Sequence, residues 1–325
     1  MSTAPLAVVG VGNAIVDVIA TVDEAFITEY ALTKGAMTLI DAERADSLYA
    51  AMPPAVEVSG GSAANTMVGV ASFGANASYI GKVRDDQLGT VFGHDITAAG
   101  VGYDVPAAPA GEATARCLIQ VTPDAERTMN TYLGISSVLA PDDVDEALVA
   151  QAGIVYCEGY LWDTDLAKAA IRKAMAVGRE NGAVVSLTLS DGFCVDRHRD
   201  EWLDLLNDQV DLVFANEDEV CSLFETDDVE GSIDKLGSLC RMVAVTRSAK
   251  GSRITDAGDV VDVPAVPVEQ LVDTTGAGDL YASGFLYGLS AGLPIEKCGA
   301  LGSAAASEVI SHVGARPNLA LHSLL

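Results

Sequence analysis

Short runs rich in Val and Ile alternate with longer helical patterns along most of this chain, and that alternation constrains its architecture more than any other feature. Strand-like runs fall at residues 6–11, 78–80, 153–156, 183–187, 211–214 and 242–246, and helix-like stretches at 62–73, 87–99, 142–151, 164–181, 217–225 and 232–239. A short apolar run without polar alternation fits a strand buried on both faces, and strand–helix repeats bring successive strands parallel through right-handed crossovers. The predicted fold class is α/β, with a mostly parallel central sheet flanked by helices. Residues 276–289 and 295–311 read as two consecutive helices with no strand between them. Two stretches, 14–39 and 112–135, break the rhythm with short alternating strands. Paired in space, they would form a small β-sheet lid on a larger unit built from residues 1–13, 40–111 and 136–325. No internal repeat or Gly/Ser/Pro-rich linker interrupts the chain, so it reads as one unit across residues 1–325.

Charge narrows the range of partners. Lys and Arg total 19 against 46 Asp and Glu, a net charge of −27. Such a surface repels phosphate backbones and anionic lipid, so neither a nucleic-acid nor a membrane partner is expected. A small anion is still compatible, because helix N-termini make local positive sites. The first twenty residues have no positive n-region and are interrupted by Asp17, and no run approaches ~20 apolar residues, so a cytoplasmic protein is expected. Six scattered cysteines form no C-x-x-C pair, and four histidines fit no metal-ligand spacing; all read as structural or surface residues.

The chemistry concentrates in Asp273-Thr274-Thr275-Gly276-Ala277-Gly278-Asp279, which precedes a helix-like run of small and apolar residues. A Gly-rich turn that opens a helix leaves backbone N–H groups converging on one spot, and the helix dipole makes that spot favourable for phosphate. A carboxylate set there can accept a hydroxyl proton while the donors stabilise charge on a transferring group. Other nucleotide motifs fail. Gly10-Val11-Gly12-Asn13-Ala14-Ile15 lacks the third glycine of the dinucleotide fingerprint, and no P-loop, G-x-S-x-G elbow or H-R-D loop is present.

The seven-residue string resembles the C-terminal signature of the ribokinase-like (PfkB) family of carbohydrate and nucleoside kinases, and the resemblance spans nearly the whole chain. Gly60-Gly61-Ser62-Ala63-Ala64-Asn65 resembles the family's G-G-x-x-x-N element, and residues 81–89 resemble its G-x-V-G-x-D-x-x-G stretch, with Arg84 where glycine is usual. Asn216-Glu217-Asp218-Glu219 matches N-x-x-E, and residues 245–251 resemble the nucleotide loop. The resemblance implies an ATP- and Mg²⁺-dependent kinase. It makes Asp279 the catalytic base and the backbone of Gly276, Ala277 and Gly278 the anion hole. Asn216 and Glu219 would organise Mg²⁺ through its waters, consistent with that ion's reluctance to dehydrate. Thr246 and Gly251 would line ATP, Ser303 would lie near the adenine, and Asp273 and Thr275 would help hold K⁺. Arg127 would swing from the lid over the γ-phosphate, or else it is a solvated arginine of the 124–127 turn.

For the acceptor, the resemblance places Asn13, Asp17, Gly60, Gly61, Ser62 and Asn65 around vicinal hydroxyls. The G-N-x-x-x-D spacing from Gly12 to Asp17 resembles the start of the family's adenosine kinases. A nucleobase needs an apolar wall as well, and Met37, Leu39, Tyr132, Tyr160 and Trp162 are candidates, with core or lid packing as their other role. The expected reaction is phosphorylation of a nucleoside 5′-hydroxyl, adenosine to AMP, by a monomer or homodimer. A sugar kinase acting on a free sugar stays open as the alternative. A catalytically inactive metabolite-binding protein is a further alternative, since fold alone does not imply function.

Overall fold

The computed structural model describes residues 5–124 and 126–325; residues 1–4 of the N-terminal stretch and Ala125 of the 124–127 turn lie outside the described residues. Eight strands form the main sheet. Val8–Val11 lies between Ala77–Ile80 and Ile154–Glu158, followed outward by Val184–Thr188, Leu212–Asn216 and Met242–Thr246, all parallel. The antiparallel strands Ser252–Asp256 and Asp259–Val263 extend that edge. Alternate residues of one strand enter opposite cores. Val9, Val155, Leu187, Val213 and Val243 pack with the helices Asp165–Glu180, Gly192–Asp208, Glu217–Phe224 and Val229–Leu239. Val8, Tyr156, Phe214 and Ala244 pack with Ser62–Ser72, Gln87–Ala98 and Ala277–Ser290. Burial on both faces is why these strands are continuous apolar runs.

A second sheet has the order Met37–Leu39, Arg127–Tyr132, Ala115–Val121, Ile15–Thr21, Val56–Gly60. Its composition corrects the sequence reading in two respects. Val56–Gly60, in the stretch assigned to the large unit, is a strand of this smaller sheet, antiparallel to Ile15–Thr21. The 14–39 stretch also contains a helix, Glu24–Glu29, capped by the Asp23 carboxylate on the Phe26 N–H. Residues 142–151 hold only a 3-10 turn, Pro141–Asp143, and the short helix Glu146–Val149. The Gly192–Asp208 helix has no counterpart among the expected elements. Its Asp, Arg and His residues mask a buried Trp202, Leu205 and Leu206, and its backbone departs from helical values at His198.

Two features of the scaffold position the site. Two of the four chain connections between the sheets are residues 12–14, between Val8–Val11 and Ile15–Thr21, and Gly61, between Val56–Gly60 and the Ser62–Ser72 helix. Gly61 has φ +98°, and a Cβ there would lie 2.3 Å from the Asn13 carbonyl oxygen, so the two connections touch and only glycine fits. The helices Ser62–Ser72 and Ala277–Ser290 pack closely, since a Cβ on Gly69 would lie 2.3 Å from Ser283 Oγ. Their N-terminal ends meet where Ser62 Oγ donates to Asp279 Oδ1.

Candidate active site

A cleft of about 1350 Å³ opens between the two sheets and is lined by both. At its floor the Ala277–Ser290 helix begins on Gly276, whose φ of +79° is left-handed and whose Cβ would meet Ala315 Cβ at 2.7 Å. No side chain caps this helix. The Ala277 N–H donates to the Thr274 carbonyl at 3.2 Å, so it is not the free donor of an anion pocket that the motif predicts. The N–H groups of Gly276, Gly278 and Asp279 have no acceptor among the described residues. Asp279 sits in the first helical turn. Its Oδ1 accepts from Ser62 Oγ at 2.6 Å and its Oδ2 from Asn65 Nδ2 at 3.0 Å. Burial pushes its pKa up to about 6, with the two donors and the charge of Arg316 opposing the rise. A carboxylate tuned toward neutrality is better matched to accepting a proton than an ordinary aspartate.

The floor continues to Asp17, at the middle of the Ile15–Thr21 strand. Its carboxylate has no hydrogen-bond donor among the described residues, and burial raises its pKa to about 6 against the charges of Arg127 and Arg316. Gly60 must lack a side chain, because a Cβ there would lie 2.5 Å from the Asp17 carboxylate. Asn13 is buried and its amide is engaged, donating to Glu158 Oε1 at 2.9 Å and accepting from Ser136 Oγ at 2.9 Å. Sequence reasoning missed Glu158, which also accepts the Ala63 N–H at 2.8 Å and so anchors the start of the Ser62–Ser72 helix. Burial pushes its pKa up to about 7.

The walls are apolar. Met37 and Leu39, on the edge strand of the smaller sheet, line the cleft at 47% and 54% exposure. Phe193, in the helix that the sequence did not reveal, also lines the cleft and is 77% exposed. Tyr160 lines the cleft with its hydroxyl donating to the Ser190 carbonyl at 3.2 Å. Two of the expected aromatics lie elsewhere. Tyr132 is buried outside the cleft, its hydroxyl donating to Glu112 at 2.5 Å and its ring beneath the Arg116 guanidinium. Trp162 is fully buried against Trp202.

At the far end Asn216 caps the Glu217–Phe224 helix in a reciprocal box. Its Oδ1 accepts the Glu219 N–H at 2.8 Å, while Glu219 accepts the Asn216 N–H at 3.1 Å and Nδ2 at 2.6 Å. Both residues line the cleft. Burial pushes Glu219 up to about 7, and the nearby Asp191 and Asp218 charges add to the rise. No group of three or more His, Cys, Asp or Glu side chains among the described residues could hold a metal directly. Thr246 lines the cleft, but Gly251 and Ser303 do not. Gly251, at φ +93°, shapes the turn against the Val263 carbonyl, and Ser303 is buried in the Ile295–Val309 helix. In the 81–89 stretch, Asp86 caps the Gln87–Ala98 helix and binds the Thr114 hydroxyl, and Arg84 Nη1 donates to the Gly111 carbonyl.

Arg127 is neither solvated nor over the cleft, because its guanidinium is paired with Asp273. Asp273 also accepts the Thr275 N–H at 2.9 Å and the Gly314 N–H at 2.9 Å. A carboxylate so occupied does not fit the expected K⁺ ligand. Arg316, which no motif singles out, acts by its charge on both Asp17 and Asp279 and is held by Nη2 donating to the Ser59 carbonyl at 2.6 Å and hydroxyl at 2.9 Å.

Unpaired N–H groups at a helix start, a carboxylate among them and a second carboxylate across the floor combine donors for an anion with acceptors for a hydroxyl proton. Residues 11–321 match the model of the pfkB family carbohydrate kinases, and the chain belongs to that family. It is an ATP-using phosphotransferase with an alcohol acceptor and the ribokinase-like α/β fold. The chain is similar to adenosine kinase 2 of Arabidopsis thaliana, 29% identical over 333 residues and covering 94% of each chain. Among solved structures it is similar to adenosine kinase from Sinorhizobium meliloti, with TM-score 0.91 and 49% identity over 99% of this chain and 98% of the other. A probable sugar kinase protein from Rhizobium etli CFN 42 matches with TM-score 0.91 and 48% identity over 98% and 97% of the two chains. No helix among the described residues is long and apolar enough to cross a membrane.

Proposed function

We propose that this chain phosphorylates the 5′-hydroxyl of a nucleoside, with adenosine converted to AMP. The observation that carries the reading is the apolar wall of Met37, Leu39 and Phe193, which shares one cleft with Asp17 and Asp279. A free sugar has no use for three exposed apolar side chains, whereas a nucleobase does. The cleft of about 1350 Å³ exceeds the ~300–1,000 Å³ of a single small-ligand pocket and suits acceptor and ATP together. Asp17 and Asn65 hold the ribose hydroxyls, and the smaller sheet acts as the lid. Asp279 takes the 5′-hydroxyl proton as that oxygen attacks the γ-phosphorus and ADP leaves. The N–H groups of Gly276, Gly278 and Asp279 face the charge on the transferring group. Asn216 and Glu219 would hold Mg²⁺ through its waters, and the ion when bound would neutralise phosphate charge. Similarity to the adenosine kinases of Arabidopsis thaliana and Sinorhizobium meliloti supports the same acceptor.

A second reading, phosphorylation of a free sugar, is favoured by the likeness to the Rhizobium etli protein. ADP release measured with adenosine, other nucleosides, ribose, fructose and 2-keto-3-deoxygluconate separates the two. Adenosine is expected to give a higher kcat/KM than any free sugar, and a sugar turned over better than every nucleoside would establish the second reading. No turnover with any acceptor would point to an inactive binding protein.

A further inference from the structure

Arg127 begins the Arg127–Tyr132 strand of the smaller sheet, yet its guanidinium reaches the residue that opens the 273–279 string. Both side chains of the Arg127–Asp273 pair are 8% exposed. Burial pushes the Asp273 pKa up, but the N–H donors of Gly314 and Thr275, with Arg127, outweigh it and hold the group below its ordinary value. Asp273 is thus a buried anion, and a buried anion needs a compensating cation. Arg127 in turn depends on Asp273. Its Nε is buried with no partner, and Asp273 is its hydrogen-bond acceptor among the described residues. A metal ion at this carboxylate would have to displace the guanidinium and leave it buried and unpaired. The pair also spans the two bodies, since the smaller sheet contributes the cation and the anion belongs to the turn that starts the Ala277–Ser290 helix.

We propose that Arg127 is a tethered cation. It occupies the position at Asp273 that a monovalent metal ion would otherwise fill, keeps the 273–278 turn in register, and frees phosphoryl transfer in this chain from any K⁺ requirement. The inference rests on reading residues 276–279 as the phosphate site. Arg127 is accordingly a positioning residue that acts through Asp273 and does not touch substrate.

Two arms test it. In the first, the unaltered protein is assayed with ATP and its best acceptor in potassium, sodium and choline chloride at matched ionic strength, and its thermal midpoint is read in the same salts. Flat kcat and a flat midpoint are expected. A several-fold stimulation of kcat, or a rise in midpoint, specific to K⁺ overturns the proposal. In the second, Arg127→Ala is expected to lose on the order of 10²-fold in kcat with a smaller change in KM for ATP, the scale of a turn displaced by about an ångström. Added methylguanidinium, which refills the place of the lost side chain, should restore part of that kcat. Normal kcat in Arg127→Ala, or a loss that methylguanidinium leaves untouched, counts against the role. If Arg127→Ala fails to fold, Arg127→Lys replaces it, with partial kcat and no gain from K⁺ expected. Absence of turnover in the unaltered protein with every acceptor would remove the phosphate-site reading itself, whereas turnover that needs K⁺ removes only the assignment to Arg127.

Discussion

Replacing Asp279 by Asn should slow catalysis by orders of magnitude and stabilise the protein, and the two effects should part company with pH. The Asp279 pKa rises from 3.8 to about 6 on folding, chiefly through burial. At 1.36 kcal/mol per unit, two units amount to roughly 3 kcal/mol, an upper bound because the cleft is open to water. A folded pKa above the unfolded one means that the native state holds the proton more tightly. This group's contribution is therefore fully present below pH 3.8 and is lost as pH rises through 6. An amide carries no charge to desolvate, so Asp279→Asn should gain up to ~3 kcal/mol at pH 7, a midpoint rise of roughly 5 °C, and nothing near pH 4. The local hydrogen bonds survive the change. Asn65 Oδ1 is buried without a partner, so a flip of that amide offers an acceptor to the NH₂ group that the substitution introduces. Thermal unfolding of both proteins from pH 4 to pH 8, beside kcat at each pH, measures the effect. The kcat should fall ~10²–10⁴-fold at its optimum. Equal midpoints at pH 7, or a difference that does not narrow toward pH 4, would refute the assignment of Asp279 as a desolvated carboxylate, and near-normal kcat would refute it as the base.

Removing the Ser62 hydroxyl, which opposes the rise in the Asp279 pKa, should move the acid limb of the kcat profile to higher pH in Ser62→Ala; an unmoved limb would separate Asp279 from the titrating group. Asp17→Asn should raise the acceptor KM ~10–100-fold, the equivalent of the ~1.5–3 kcal/mol carried by a charge-assisted hydrogen bond, with little change for ATP. Phe193→Ala should raise KM for nucleosides but leave free sugars and the thermal midpoint nearly unchanged, because a side chain 77% exposed supports little of the fold. A matching loss on ribose would mean that Phe193 does not face a nucleobase.

What the sequence reveals and what it hides divide along physical lines. Strands such as Met242–Thr246 are legible because a strand buried on both faces has to be written as an unbroken apolar run. The surroundings of Asp279 are half legible, since a helix start is a local event carried by Gly276 and its neighbours. Its partners Ser62 and Asn65 lie 217 and 214 residues away and come only through the resemblance of residues 60–65. Arg316 and Glu158 have no such flag, as their roles arise from contacts 257 and 145 residues distant. Tyr132 and Trp162 show the opposite failure. An aromatic ring serves equally as a cleft wall or as core, and only packing against Arg116 or Trp202 decides which. Phe193 escapes notice because its helix carries Asp, Arg and His where a periodic apolar face would have announced it.

Two of the four chain connections between the sheets pass through residues 12–14 and Gly61, beside Asp17 and Asn65 in the cleft lining. Any change in the angle between the sheets must bend the backbone where Asn13, Gly60 and Gly61 sit. On the proposed acceptor site, a molecule bridging Asp17 and Asn65 would act as a splint across a joint. Compounds that copy this bridge but lack the reactive hydroxyl should inhibit by immobilising the joint. Resistance to them should then arise at the glycines of the pivot as readily as at the residues they touch.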